Sequence, residues 1–241
     1  MNLILDFGNT MKKVALFENK ELIDKKEFLN DKNNELLNFI KNTDFKQSII
    51  SSVISTPDEI INVVKQKTSK TIILDSNTKI PINLNYNTPK TLGKDRIALA
   101  VGGYCKFPQQ NVLIIDIGSC ITYDFIDKNG NYQGGAISPG PKLRYKSLSD
   151  YTDRLPLLEY QDNKIQITGK STSASMHSGI KNGILFELDG FINDFKNSYK
   201  DMKTVICGGY SKYLHNLLKN PTFAELNLLL YGLNEILFFN E

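Results

Sequence analysis

The sequence is poor in the residues that announce a chemistry by themselves. It holds three cysteines, Cys105, Cys120 and Cys207, and two histidines, His177 and His215. None stands at the paired spacing of a zinc site, so the thiols read as reduced and structural and the histidines as surface or packing residues. No apolar run is long enough to cross a bilayer, and residues 2–6 already form a strand where a secreted chain would carry a basic segment followed by a signal-type apolar stretch. No membrane association is expected, and the expected compartment is the cytoplasm. Charge of one sign is also missing. Lys and Arg number 29 against 26 Asp and Glu, a net +3, which cannot build the basic stripe that nucleic-acid binding needs. The pair Lys25-Lys26 is largely cancelled by its neighbours Asp24 and Glu27.

What is present suits a soluble α/β protein. The 241 residues are 41% hydrophobic and 23% charged, enough to bury one large core or two smaller ones. Residues 2–6, 12–17 and 21–29 read as three strands in a meander, with turns at Gly8-Asn9 and Asn19-Lys20. A helix is expected over 33–41, a buried strand in "SIISSVIS" (48–55) and a helix in "TPDEIINVVKQKT" (56–68). In that helix Thr56 is expected as N-cap, Pro57 as first helical residue and Glu59 as partner in a capping box. A strand at 71–75 follows, and then a helix of small residues beginning at Gly93. The second half restarts this programme: strands at 111–116, 121–127 and 132–137, with Asn129-Gly130 as hairpin turn, a long helix over 172–199, a strand in "TVICGG" and a last helix in "LLLYGLNEILFF". Two related α/β lobes are implied, residues 1–110 and 111–241. On the long helix Ile180, Ile184, Leu188, Phe191 and Phe195 recur at helical spacing, which suits a core stripe and equally a stripe that meets a second subunit.

Two stretches carry the chemistry. "LILDFGNT" (3–10) and "LIIDIGSC" (113–120) each end an apolar strand in an acid, with a glycine two places on. Ligands of open α/β sheets gather beyond the carboxyl ends of the strands, so an acid there faces a ligand and not the core. The glycine lets backbone amides approach an anion, and Asn9 and Thr10 add donors. One such turn serves hairpin geometry equally well. Two copies, one per lobe, suit a nucleotide whose phosphates lie between them, with the carboxylates holding cations.

With these, the series "DFGNT", "GKDR" (93–96), "DIGSCITYD" (116–124), "GGAISPG" (134–140), "LSDYTDRLP" (148–156), "GKSTSASMHSG" (169–179) and "ICGG" (206–209) resembles the type III pantothenate kinases. The resemblance implies two duplicated ribonuclease-H-like lobes of the actin-like ATPase kind, with mixed central sheets and an interlobe cleft. It further implies ATP and pantothenate as substrates, Mg2+ with the nucleotide, a monovalent cation (K+ or NH4+), and a homodimer. Asp6, Phe7, Gly8, Asn9, Thr10, Met11, Lys12 and Lys13 match the first phosphate loop, with Asp6 reaching Mg2+ through water. Of Lys12 and Lys13, at least one is expected in solvent, since neighbours on a strand face opposite ways. Asp116 matches the monovalent-cation acid, and Ser119 an ATP contact where the family usually has threonine. Gly208 and Gly209 match the pair beside the adenosine; an ordinary strand-to-helix turn is their alternative. Asp95 matches the catalytic acid. A carboxylate is too weak a base to deprotonate an alcohol beforehand, so the proton must leave late, with Asp95 mainly aiming the hydroxyl. Gly93, Lys94, Arg96, Tyr86 and Thr172 match pantothenate-side positions, Arg96 offering a forked cation for a carboxylate. The alternatives are a charged helix start for Asp95-Arg96 and a helix cap for Thr172. A non-catalytic accessory protein of this fold and a sugar kinase are the two rival functions.

Overall fold

Every residue of the first strand is buried, as an apolar strand in mid-sheet must be. The computed structural model describes residues 1–68 and 70–241. In chain order its elements are β1 (Asn2–Phe7), β2 (Met11–Glu18), β3 (Glu21–Leu29), α1 (Asn33–Lys41), β4 (Gln47–Ser52), α2 (Asp58–Lys67), β5 (Thr71–Ile73), β6 (Asn83–Leu84) and α3 (Lys94–Lys106). There follow β7 (Val112–Ile117), β8 (Cys120–Ile126), β9 (Asn131–Pro139), α4 (Pro141–Asp150), α5 (Thr172–Ser198), β10 (Lys203–Cys207), α6 (Ser211–Leu214), β11 (Phe223–Ala224) and α7 (Leu228–Phe239). Among the described residues no helix is long and apolar enough to cross a membrane.

The chain divides into two units, one of residues 1–109, 128–133 and 227–241 and one of residues 110–127 and 134–226. This differs from a cut at 110/111, because α7 and a short hairpin segment count with the first unit. The first unit carries a sheet in the order β3-β2-β1-β4-β5. Its meander β1-β2-β3 is antiparallel, whereas β4 and β5 run parallel to β1 after helical crossovers. The second repeats that order as β9-β8-β7-β10-β11. The duplication read from the two acid turns is therefore a duplication of topology. The two-residue β6 pairs with Asn131 and Tyr132 at the beginning of β9, both counted in the first unit.

One face of the first sheet is covered by α1 and α2, through Leu5, Phe7, Val14, Leu36, Ile40, Ile60 and Val64. The other face meets α7. Asn2 of β1 donates to Asn234 Oδ1 at 3.0 Å, Asn234 donates to the Asn19 carbonyl at 2.8 Å, and Gln47 of β4 bonds both Asn2 and Glu241. These amides satisfy one another inside the unit, so they do not carry the cost of buried unpaired polar groups. Helix α7 also crosses α3 almost in backbone contact. A Cβ on Gly232 would lie 1.8 Å from the Ala98 carbonyl oxygen, and one on Gly102 would lie 2.5 Å from that of Leu228. In the second unit, the stripe on α5 is core: Ile184, Leu188 and Ile192 are fully buried, Phe191 stacks on Tyr123 at 4.0 Å and Phe195 meets Phe125 at 5.2 Å.

Several local expectations are corrected. Helix α2 begins at Asp58 with Pro57 in the cap position and no side-chain cap. Pro57 has ψ 128°, outside the helix, and its carbonyl accepts from Ile60 and Ile61, so Thr56 and Glu59 have no capping box to build. Strand β4 stops at Ser52 because that hydroxyl bonds both N–H and carbonyl of Ile54. Strand β5 ends at Ile73, and Asp75 turns the chain by accepting from Asn77 and Thr78. Helix α4 adds to the expected elements, its pattern being weakly apolar; Gly140 and Pro141 begin it. Gly130 has φ 80°, as the hairpin turn requires.

The Gly232 crossing leaves no room for a methyl. Gly232→Ala is expected to destabilise by about 1–3 kcal/mol through overpacking, read as a fall of several degrees in Tm, whereas Gly190→Ala on α5, where a Cβ meets open space, should leave Tm unchanged or raised.

Candidate functional site

In the first unit, Asp6 is the last residue but one of β1 and is 4% exposed. Its register partners are Lys13 on β2 and Ser51 on β4. Directly opposed residues share a face, and alternation puts Asp6 on the side of Asn2, the side that meets α7. Ser51 is fully buried, and among the described residues its hydroxyl has no partner. The turn that follows is closed by the Gly8 N–H on the Met11 carbonyl at 3.1 Å, leaving Asn9 and Thr10 exposed at its tip.

The two lysines part as strand alternation demands, but the expectation that one faces solvent fails. Lys13 is half-buried on the Asp6 face, and Lys12 is 2% exposed on the other. The Lys12 ammonium donates to the Asn30 carbonyl at 2.7 Å and to Asn33 Oδ1. Burial lowers its pKa, and Asp31 opposes that shift. Phe7 and Met11 flank the turn within the strands.

Helix α3 places the GKDR residues. Gly93 is its cap, and Asp95 Oδ1 folds back to accept from the Arg96 N–H at 2.8 Å. A Cβ on Gly93 would lie 2.5 Å from that oxygen, so glycine is what lets the carboxylate take this position. Asp95 is half-buried and Arg96 is 6% exposed. The helix-start role for Asp95 is real, and it engages one oxygen of the carboxylate. Lys94 lies within electrostatic reach of Asp75, whose carboxyl is held below its ordinary range chiefly by the Asn77 N–H. Tyr86, half-buried after β6, packs its ring 5.9 Å from that of Tyr132.

In the second unit Asp116 again stands last but one, on β7, with Thr122 and Cys207 as register partners. Its turn is one residue shorter than the first, Thr122 being six positions after the acid where Lys13 is seven. That leaves Gly118 and Ser119, both half-buried, with the Gly118 N–H on the Cys120 carbonyl at 2.9 Å. Gly208, at φ 87°, lies against this acid: a Cβ there would fall 2.1 Å from Asp116 Oδ1 and 2.6 Å from the Ile117 N. Gly209 is different, since a Cβ there would meet open space. The turn explains Gly208 and does not explain Gly209.

Behind the second turn lies a brace that sequence reasoning missed. Gly140 sits backbone to backbone on the turn, its N–H donating to the Ser119 carbonyl at 3.0 Å, and a Cβ there would lie 2.3 Å from the Gly118 oxygen. The strand end that carries Gly140 is held by Glu187 of α5, which accepts from Tyr123 at 2.7 Å, Ser138 at 2.5 Å and Arg144 at 2.5 Å. Arg144 also donates to the Pro139 carbonyl at 2.8 Å. One sequence signal was available: Glu187 falls between Ile184 and Phe191 on the apolar stripe, where a carboxylate needs donors. Further along, Ser171 and not Thr172 caps α5, accepting from the Ala174 N–H at 3.2 Å. Thr172 is therefore an exposed first helical residue. His177 is buried, its Nδ1 bonded to Tyr145 at 2.8 Å.

Among the described residues no group of three or more His, Cys, Asp or Glu could hold a metal ion. What exists is a single carboxylate at each turn with oxygen neighbours, which suits hard cations that keep waters and share ligands with phosphate. At Asp6 the supporting observation is the unpartnered Ser51 hydroxyl on the same face. At Asp116 it is the cradle that a side chain on Gly208 would fill.

The family model described as type III pantothenate kinase matches residues 2–194. A protein named type III pantothenate kinase from Christiangramia forsetii is 43% identical over 245 residues, covering 100% of this chain and 99% of the relative. One of the same name from Cytophaga hutchinsonii is 38% identical and covers 100% of both. Among solved structures, a conserved Campylobacter jejuni protein of the Baf family of transcriptional activators aligns with TM-score 0.65 at 20% identity, over 99% of this chain and 98% of that one. A ROK family glucokinase from Streptomyces griseus, with glucose and AMPPNP, aligns with TM-score 0.52 at 10% identity, over 99% and 98%. These two likenesses show the fold: a two-lobed, actin-like α/β architecture.

The Glu187 carboxyl has a testable signature. Burial alone would raise its pKa, but Ser138, Arg144 and Tyr123 together hold it below the ordinary glutamate range. Its stabilisation is thus present at neutral pH and is lost as pH falls through and below about 4.3. Glu187→Gln is expected to cost about 1–3 kcal/mol near neutrality and to lose less further stability on acidification than the parent does, as read by Tm against pH.

Proposed function

The chain belongs to the type III pantothenate kinase family, and on that premise we propose how its residues divide the work of phosphorylating pantothenate. The reaction moves the γ-phosphoryl group of ATP to the 4′-hydroxyl of pantothenate, the first step towards coenzyme A. The observation that carries the assignment is family membership along the whole chain together with the helix start at Gly93–Arg96, which places an acid and a guanidinium at successive positions of its first turn.

The ATP-side residues are Asp6 to Lys13, Ser119, Gly208 and Gly209. The Asn9 and Thr10 N–H groups of the first turn cradle phosphate oxygens, with Lys13, on the Asp6 face, as the cationic side chain. Ser119 supplies a hydroxyl in the second turn. The open space beside Gly209 suits close approach of the adenosine. Asp6 is the residue to hold Mg2+ through water, and Asp116 the residue to hold a monovalent cation, K+ or NH4+. Such cations, when bound, offset the phosphate charge that builds in the transition state.

On the acceptor side, Asp95 aims the hydroxyl and takes its proton late, as the bond to phosphorus forms. Arg96 pairs with the pantothenate carboxylate through its planar fork. Gly93 keeps Asp95 in place, while Tyr86, Lys94 and Thr172 complete the vitamin's surroundings. The working unit is a homodimer. Support comes from exposed apolar side chains of the second unit, Ile137, Leu157, Ile167 and Phe186, each more than half exposed. Two of them lie in residues 151–171, a segment without helix or strand. The compartment is the cytoplasm, where ATP is available.

A coupled ADP-release assay with pantothenate, with sugars and with no acceptor tests the assignment. Pantothenate-dependent turnover is expected, and turnover with a sugar alone would refute it. Asp95→Asn should lower kcat by about 100-fold or more; wild-type turnover by that variant would remove Asp95 from the base role. Gly209→Ala should leave Tm within a degree or so, because nothing in the chain opposes the methyl, while raising KM for ATP; an unchanged KM would sever Gly209 from the nucleotide.

A further inference from the structure

The first turn has a support that its sequence motif does not include. Asn30, just after β3, donates its side-chain amide to the Gly8 carbonyl at 3.2 Å and to the Asn9 carbonyl at 2.9 Å. Its own main-chain carbonyl accepts from the buried Lys12 ammonium at 2.7 Å, and the same ammonium reaches Asn33 Oδ1 at the first turn of α1. A cation buried at a helix N-terminus is disfavoured both by desolvation and by the helix dipole. The two asparagine oxygens and the nearby Asp31 charge offset that cost.

The consequence lies in peptide geometry. A trans peptide is planar, with its C=O and N–H pointing opposite ways. Drawing the Gly8 and Asn9 carbonyls towards Asn30 therefore turns the N–H groups of Asn9 and Thr10 away from it. We propose that Lys12 is a positioning residue for the nucleotide: acting through Asn30 from beneath the turn, it orients the two peptide planes whose N–H groups receive the phosphates. Lys12 thus works without touching ATP, in contrast to Lys13 on the other face. This rests on the kinase reading above.

The test uses the whole protein, a non-hydrolysable ATP analogue in calorimetry, and steady-state kinetics with ATP and pantothenate. Lys12→Met removes the ammonium and keeps the length of the side chain. Asn30→Ala removes the clamp but keeps the main-chain acceptor, so it tests the same brace even if the first variant does not fold. Each is expected to weaken analogue binding and raise KM for ATP about tenfold, the loss of roughly one charge-assisted hydrogen bond, with kcat and KM for pantothenate changing far less. A merely structural loss would lower the binding stoichiometry and leave the affinity of the folded fraction intact. The double variant should bind no more weakly than the worse single one, because both break one linkage. Parent-like affinity in Asn30→Ala, or losses that simply add in the double variant, would overturn the brace and return Lys12 to direct contact or to packing. Failure of the parent itself to bind the analogue would instead overturn the kinase reading, and the brace with it.

Discussion

The approach of α3 and α7 through Gly102 and Gly232 is the constraint on which the first unit depends. Helices with side chains at their crossing stay roughly 8–10 Å apart, and here two glycines remove the side chains at the point of contact. The final helix is pinned in turn to the sheet by Asn2, Asn234 and Gln47. Sheet, α7 and α3 are therefore stacked with little freedom, and the beginning of α3 is where Gly93, Asp95 and Arg96 stand. Chemistry at groups such as these needs them held to a fraction of an ångström. The crossing lies on the same helix as those groups, at Ala98 and Gly102, while its other side, Gly232, comes from the last helix of the chain.

The two sheets solve one problem twice. In each, a middle strand delivers an acid at its last position but one, an antiparallel neighbour returns after a short turn, and a parallel strand lies on the other side. What supports the turn differs. The first is held from beneath by Asn30 and Lys12. The second is held by the Gly140 backbone, itself fixed through Glu187, Ser138 and Arg144. The parallel neighbour supplies Ser51 in one case and Cys207 in the other. The repeat is thus one of topology, and the polar supports were filled in separately.

The existence of most strands and helices is legible, because apolar runs and 3.6-residue spacing are local signals; α4 and the short β6, α6 and β11 carry neither signal clearly. The helix expected over 33–41 has those limits, and the one expected from Gly93 begins at Lys94, with Gly93 as its cap. Errors gathered where a side chain chose among local partners. Ser52 turns back on Ile54 and ends β4, and Ser171, not Thr172, caps α5; at Pro57, with no side-chain cap, it is the main-chain carbonyl that starts α2. Sequence cannot rank such short-range hydrogen bonds, since each competitor is equally near. The burial of Lys12 is illegible for another reason: a lysine on a strand is a solvent residue unless something distant supplies acceptors, and Asn30 and Asn33 do so only once β3 and α1 are in place.

By itself the sequence determined the doubled α/β plan, the acids at the ends of β1 and β7, and the glycines that must accompany them. Those follow from polarity period and backbone freedom, which act over a few residues. Tertiary structure alone decided which unit receives α7, which of two adjacent lysines is buried, which of two adjacent glycines the chain itself requires, and that Glu187 stands behind the second turn. Each of these depends on what lies opposite in space, and the chain brings those partners together only when it folds.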